Sequence, residues 1–91
     1  MSIKEKKKEQ CNLFKETAKK YELILLNDEV NTFDYVVDCL IRICEHETFQ
    51  AEQCALITHY NGKCSVRNGR LNEMNQLCMR LLEANLRAEV N

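Results

Sequence analysis

The chain has 91 residues, 45% of them hydrophobic and 30% charged, with 13 Lys and Arg set against 14 Asp and Glu for a formal charge of -1. That size and balance fit one small domain, and near-neutrality excludes the cation excess carried by nucleic-acid and membrane-surface binders. No run of eighteen apolar residues occurs, and the opening MSIKEKKKEQ is charged where a signal peptide is apolar, so a cytoplasmic protein with neither membrane span nor secretion signal is expected.

Charge is unevenly divided along the chain. Residues 1–20 hold seven Lys and three Glu, whereas residues 21–91 hold six Lys or Arg and eleven Asp or Glu. The first twenty residues therefore read as a flexible basic extension and residues 21–91 as the folded, acidic domain. The run YELILL at Tyr21 to Leu26 is rich enough in apolar residues for a buried strand, and it stops at the polar Asn27-Asp28-Glu29. From Phe33 the apolar ladder Phe33, Val36, Val37, Leu40, Ile41 and Cys44 predicts an amphipathic helix, with Asn31 or Thr32 as N-cap and Asp34 in its first turn.

A second helix is expected to start from Thr48 as N-cap, to run through Ala51, Cys54, Ala55 and Thr58, and to end at Asn61-Gly62 with His59 in its last turn. Lys63 to Val66 reads as a short strand and Asn68-Gly69 as a turn. A third helix follows on the ladder Leu71, Met74, Leu77, Cys78, Leu81 and Leu82, and the alternation of Leu86, Ala88 and Val90 with Arg87 and Glu89 predicts a final half-buried strand. The order β-α-α-β-α-β implies an α+β fold, a three-stranded antiparallel sheet packed against three helices.

Six Cys in so short a chain would suit a disulfide framework only in a secreted protein, so reduced thiols are expected. Cys39, Cys44, Cys54 and Cys78 lie in apolar periodic stretches and can serve as small buried hydrophobes, whereas Cys11 and Cys64 have no assigned role. Cys44 with His46, beside Cys39, is the nearest approach to paired ligand spacing; core packing explains it better, and neither metal nor cofactor is expected.

Two polar clusters sit at the ends of apolar elements: Asn27-Asp28-Glu29, and His59 with Tyr60. By pattern alone, the first is a solvated turn that caps the next helix and the second a side chain suited to a helix C-terminus. In context, however, YELILLNDEVNTFDYVVDCL resembles the opening strand, N-D-D loop and following helix of the ClpS family of bacterial adaptor proteins. AEQCALITHYNGK is similar to that family's H-Y-x-G-K helix end. The resemblance covers about residues 21–66 and continues more faintly to the C-terminus; two separated motifs in the right order make it specific.

The resemblance implies the ClpS fold and a non-catalytic adaptor, which binds N-degron proteins beginning with Leu, Phe, Tyr or Trp and delivers them to a ClpA- or ClpC-type AAA+ unfoldase. It implies α-amine contacts at Asn27, Asp28, Glu29 and His59, and a side-chain pocket around Asn31, Phe33, Val36, Ala55, Thr58 and Leu86, with Asn31 and Thr58 at its rim. Glu73 matches a docking carboxylate for the unfoldase, and the basic extension matches a segment that the unfoldase engages. A monomer with no nucleic-acid or membrane partner is expected. The chain departs from the family in having Glu29 for the second loop Asp, Phe33 and Ala55 where Met is common, Thr32 where Pro is frequent, and two fewer residues across Ser65 to Glu73.

Independently of the family, an N-terminal ammonium offers three N–H donors and has a pKa near ~8, so an amide oxygen, a carboxylate and a neutral imidazole nitrogen can together accept all of them. Acetylation removes the charge and most donors, and binding should also weaken as the imidazole is protonated in acid. Two other classes compete with this reading. One is an interaction domain of similar shape, such as the C-terminal domain of the ribosomal stalk protein, which does not read N-termini. The other is a thiol enzyme pairing Cys64 with His59, which needs a thiol of low pKa.

Overall fold

The computed structural model of the chain describes residues 19–91. Up to residue 18 the predicted extension therefore lies outside the described residues, and Cys11 with it. The elements follow in the order β1 (Tyr21–Leu26), α1 (Phe33–Cys44), α2 (Thr48–Asn61), β2 (Lys63–Gly69), α3 (Leu71–Glu83) and β3 (Arg87–Val90). The strands form one antiparallel sheet in the order β2-β1-β3, so the α+β expectation is met, with β1 at the centre. Among the described residues no helix is long and apolar enough to cross a membrane.

The apolar ladders explain how the helices attach to the sheet. Leu23 and Leu25 on β1 and Val66 on β2 meet Val37, Leu40 and Ile43 of α1, Ala51 and Ala55 of α2, and Met74 and Leu81 of α3 in one buried cluster. Cys39, Cys44, Cys54 and Cys78 belong to it, as small hydrophobes should. Burial pushes the Cys44 thiol up to about 11, which keeps it protonated and inert.

Of the two caps expected for α1 the chain uses Thr32, its hydroxyl accepting from the Tyr35 N–H at 3.1 Å, while Asn31 is engaged elsewhere. Two other element ends differ from the expectation. Thr48 is the first residue of α2 and not its cap; that place falls to Glu47, whose side chain makes no capping bond. The second strand runs past Val66 to Gly69, and Asn68 and Gly69 pair with Glu22 and Tyr21 instead of turning. Tertiary pairing overrides the Asn-Gly turn signal here, because the six-residue central strand pairs with β2 along its whole length.

A bulge lets β2 reach that far. The register moves from Leu23↔Arg67 to Ile24↔Ser65, leaving Val66 as the extra residue. Its freed carbonyl accepts a 2.7 Å bond from Nε2 of His46, a residue only 4% exposed. His46 is thus a core residue that ties the α1–α2 connection to β2. Among the described residues no three His, Cys, Asp or Glu side chains gather as a metal site, and the weighed set of Cys39, Cys44 and His46 does not form one.

Candidate functional site

A cavity of about 570 Å³ opens where the C-terminal end of β1 meets the first turns of α1 and the last turns of α2. All four residues proposed to contact an amine, Asn27, Asp28, Glu29 and His59, line it, and so do all six proposed for the pocket, Asn31, Phe33, Val36, Ala55, Thr58 and Leu86. Leu25 and Leu26 complete the wall; the sequence reading assigned them only to the strand. Glu73 is not among the lining residues and stands exposed in the first turn of α3.

Chain geometry brings the polar residues together. Gly62 ends α2 with φ 91°, a left-handed conformation that suits glycine, and the chain drops directly into β2 beside β1. The Gly62 carbonyl accepts from the Asn27 N–H at 2.9 Å, which fastens the loop after β1 to the helix end that carries His59. The imidazole packs edge-on against Tyr60, with ring centroids 5.0 Å apart at 77°.

Asp28 organises the loop itself. Its Oδ1 accepts from the backbone N–H groups of Val30 and Asn31, each at 2.9 Å, and both carboxylate oxygens accept from Nδ2 of Asn31, at 3.3 and 3.1 Å. Partial burial would raise the Asp28 pKa. The bonds from Asn31 and Val30, with the Arg87 guanidinium nearby, outweigh it and hold the carboxyl below the usual carboxylate value. Most of this carboxylate's capacity therefore goes into shaping the loop, and Oδ2 keeps room for one further donor.

Asn31, expected at the pocket rim, also holds a distant turn. It lines the cavity, but its second amide hydrogen crosses to the Asn85 carbonyl at 2.8 Å. Tyr35, which sequence reasoning missed, makes a parallel tie, donating its hydroxyl to the Ala84 carbonyl at 2.6 Å. Together they clamp the α3–β3 turn, where Asn85 takes φ 69°, and so place Leu86 in the cavity wall. The partners lie 49 and 54 residues apart, beyond any local signal; only the left-handed preference of Asn after a helix hinted at the turn.

Depth follows from burial. Ala55, Thr58 and Leu86 are 4%, 5% and 3% exposed and form the inner end, so Thr58 lies deep and not at the rim where it was expected, whereas Phe33, Glu29 and His59 are exposed and form the mouth. The Thr58 hydroxyl donates to the Cys54 carbonyl at 2.8 Å, so its proton is already used and the inner wall offers no free donor from it. A mouth rich in acceptors above an apolar interior suits a cation joined to an apolar group. The thiol alternative finds no support in this geometry: Cys64 does not line the cavity, and burial, then neighbouring Cys54, push its thiol up to about 12.

The family profile described as ATP-dependent Clp protease adaptor protein ClpS matches residues 16–89. The ATP-dependent Clp protease adapter protein ClpS of Campylobacter jejuni strain RM1221 is 43% identical over 44 residues, 48% of this chain and 46% of that protein. Its counterpart in Acetivibrio thermocellus is 36% identical over 63 residues, 69% of this chain and 64% of that protein. The matched stretch thus spans about half of the Campylobacter relative and just under two thirds of the other. In fold the chain is similar to Agrobacterium tumefaciens ClpS2, solved bound to L-phenylalaninamide, with a TM-score of 0.69 at 17% identity over 79% of this chain and 94% of that one. Because the profile matches across nearly the whole described domain, the chain belongs to the ClpS family of ATP-dependent Clp protease adaptor proteins.

Proposed function

We propose that this chain is a non-catalytic adaptor: it binds the free N-terminus of proteins whose first residue is bulky and apolar, and it delivers them to a Clp AAA+ unfoldase in the cytoplasm. The observation that carries the reading is the single cavity that joins an acceptor-rich mouth, Asn27, Asp28, Glu29 and His59, to an apolar interior at Val36, Ala55 and Leu86. An N-terminal ammonium would take acceptors at the mouth while its side chain enters the interior, a transfer worth roughly 1.5 to 3 kcal/mol for a Leu or Phe. A blocked N-terminus leaves acceptors unpaired at roughly 1 to 3 kcal/mol each. L-phenylalaninamide, the ligand of Agrobacterium ClpS2, has this chemistry, a free ammonium beside an apolar ring.

In the same reading, residues 21–91 are the substrate-binding domain, residues 1–20 the segment engaged by the unfoldase, and Glu73 a docking carboxylate on α3. The test is fluorescence anisotropy with labelled peptides that differ only at the N-terminus: Leu, Phe, Tyr, Trp, Ile, Glu and N-acetyl-Leu. Micromolar or tighter binding of free bulky residues, absent for acetyl-Leu and Glu, supports the reading, and equal binding of acetylated and free peptides refutes it. His59→Ala should weaken binding of the free-amine peptides by removing one acceptor from the mouth.

A further inference from the structure

We infer that Cys54 on α2 and Cys64 on β2 form a modification site, at which a small-molecule disulfide of the glutathione class converts the two thiols into one disulfide that joins the helix to the strand. The inference is independent of the N-terminus-binding reading. Its observation is a contact between two side chains that the cavity does not use. The cysteines lie ten positions apart, and the left-handed turn at Gly62 folds the strand back under the helix. Cys64 stands opposite Leu25 of β1, a core residue, so its side chain shares the helix-facing side of the sheet. There it packs against the buried cluster to which Cys54 belongs, and the two thiols are hydrogen-bonded to each other. Both are free thiols in the structure.

Exposure decides which sulfur reacts first. Cys54 is buried and Cys64 only half-buried, so an external disulfide reaches Cys64. Cys64 gives up its proton and its sulfur attacks one sulfur of oxidised glutathione; the Cys64–glutathione bond forms, the glutathione disulfide bond breaks, and the departing thiolate takes up a proton. Cys54 then loses its proton and attacks Cys64 Sγ, which forms the internal disulfide and expels the second glutathione as a thiolate that is protonated in turn. Two protein thiols are oxidised and one external disulfide is reduced to two thiols, so electrons and protons balance. Contact between the sulfurs makes the second step intramolecular, which favours it over a lasting glutathione adduct. Burial, then neighbouring Cys54, push the Cys64 thiol up to about 12, so little thiolate is present and the first exchange is slow. The same property makes Cys64 a poor leaving group, so the disulfide is also slow to reopen. The site therefore records sustained oxidation and not brief pulses. Neither cysteine lines the cavity, so the cross-link fastens the helix that carries Ala55, Thr58 and His59 without closing the opening.

The experiment incubates the full, folded chain with oxidised glutathione at neutral pH for a prolonged period and blocks the remaining thiols with N-ethylmaleimide in acidic denaturant. Proteases that cut after Glu45, Glu52, Lys63 and Arg67 then place Cys44, Cys54 and Cys64 on separate peptides for mass spectrometry. The expected product is peptide 53–63 joined to peptide 64–67, about 2 Da lighter than the two reduced peptides together, with both thiols lost at once and regained in dithiothreitol. Cys54→Ala, checked for folding by circular dichroism, should instead hold glutathione on Cys64, because the second sulfur is gone. Should that variant not fold, the peptide map of the wild type decides alone. Glutathione retained on Cys64 of the wild type, a link from Cys64 to Cys44, or Cys54 and Cys64 both still free at the end of the incubation overturns the inference.

Discussion

Replacing Asp28 separates a loop that is merely near the cavity from one that builds it. The carboxylate accepts two backbone and two side-chain contacts within 3.3 Å, all from Val30 and Asn31. Bonds to a charged acceptor stabilise by roughly 1.5 to 3 kcal/mol each when shielded, but Val30 is solvated and can turn to water, so Asp28→Ala should cost about 2 kcal/mol in all. Released from Asp28, Asn31 would hold the Asn85 carbonyl less firmly, and the wall at Leu86 would loosen. Two measurements follow: denaturant unfolding of Asp28→Ala and Asp28→Asn beside the wild type, and peptide affinity on the same three proteins. The pH dependence carries a definite sign. With its folded pKa held below the unfolded value of 3.8, Asp28 contributes its full stability above that value and loses it as pH falls through the folded pKa. The stability gap between wild type and Asp28→Asn should therefore close in acid. A gap under about 0.5 kcal/mol at neutral pH, or one that widens in acid, would refute the account.

Tyr35→Phe removes only the hydroxyl that donates to the Ala84 carbonyl, and should cost about 1 kcal/mol in urea unfolding while weakening peptide binding through Leu86; unchanged stability would show that water replaces the bond. Gly62→Ala meets nothing within 4 Å but must adopt φ 91°, so thermal unfolding should report a loss of about 1 kcal/mol from backbone strain alone, and a neutral effect would mean that the α2 end relaxes. Cys44 and Cys64, pushed up to about 11 and about 12, should react with iodoacetamide at neutral pH far more slowly than free cysteine, as mass spectrometry resolved by residue can show. Labelling of Cys64 at the free-cysteine rate would contradict its placement.

Local chemistry made most of the architecture legible. The six-residue run of β1 and the ladders of α1 and α3 have the periods that strand and helix impose, and Gly62 and Thr32 supply caps within a turn of where they act. The two motifs at Asn27-Asp28-Glu29 and His59 were visible as well, because each is contiguous. Where the reading slipped, a distant partner decided: β2 extends through Asn68 and Gly69 because β1 pairs with them.

By itself, then, the sequence determined the element order, the apolar faces and the residue types around the cavity, since these follow from spacing along one chain. Tertiary structure alone decided that ten of those residues share one cavity, that Asn31 serves the loop and the far turn at once, and that Tyr35 belongs to the assembly. The physical reason is the range of the interactions. Helical and strand periods repeat every few residues, whereas a side-chain amide that reaches a carbonyl 54 positions away obeys no local pattern until packing has brought α1 against the α3–β3 turn.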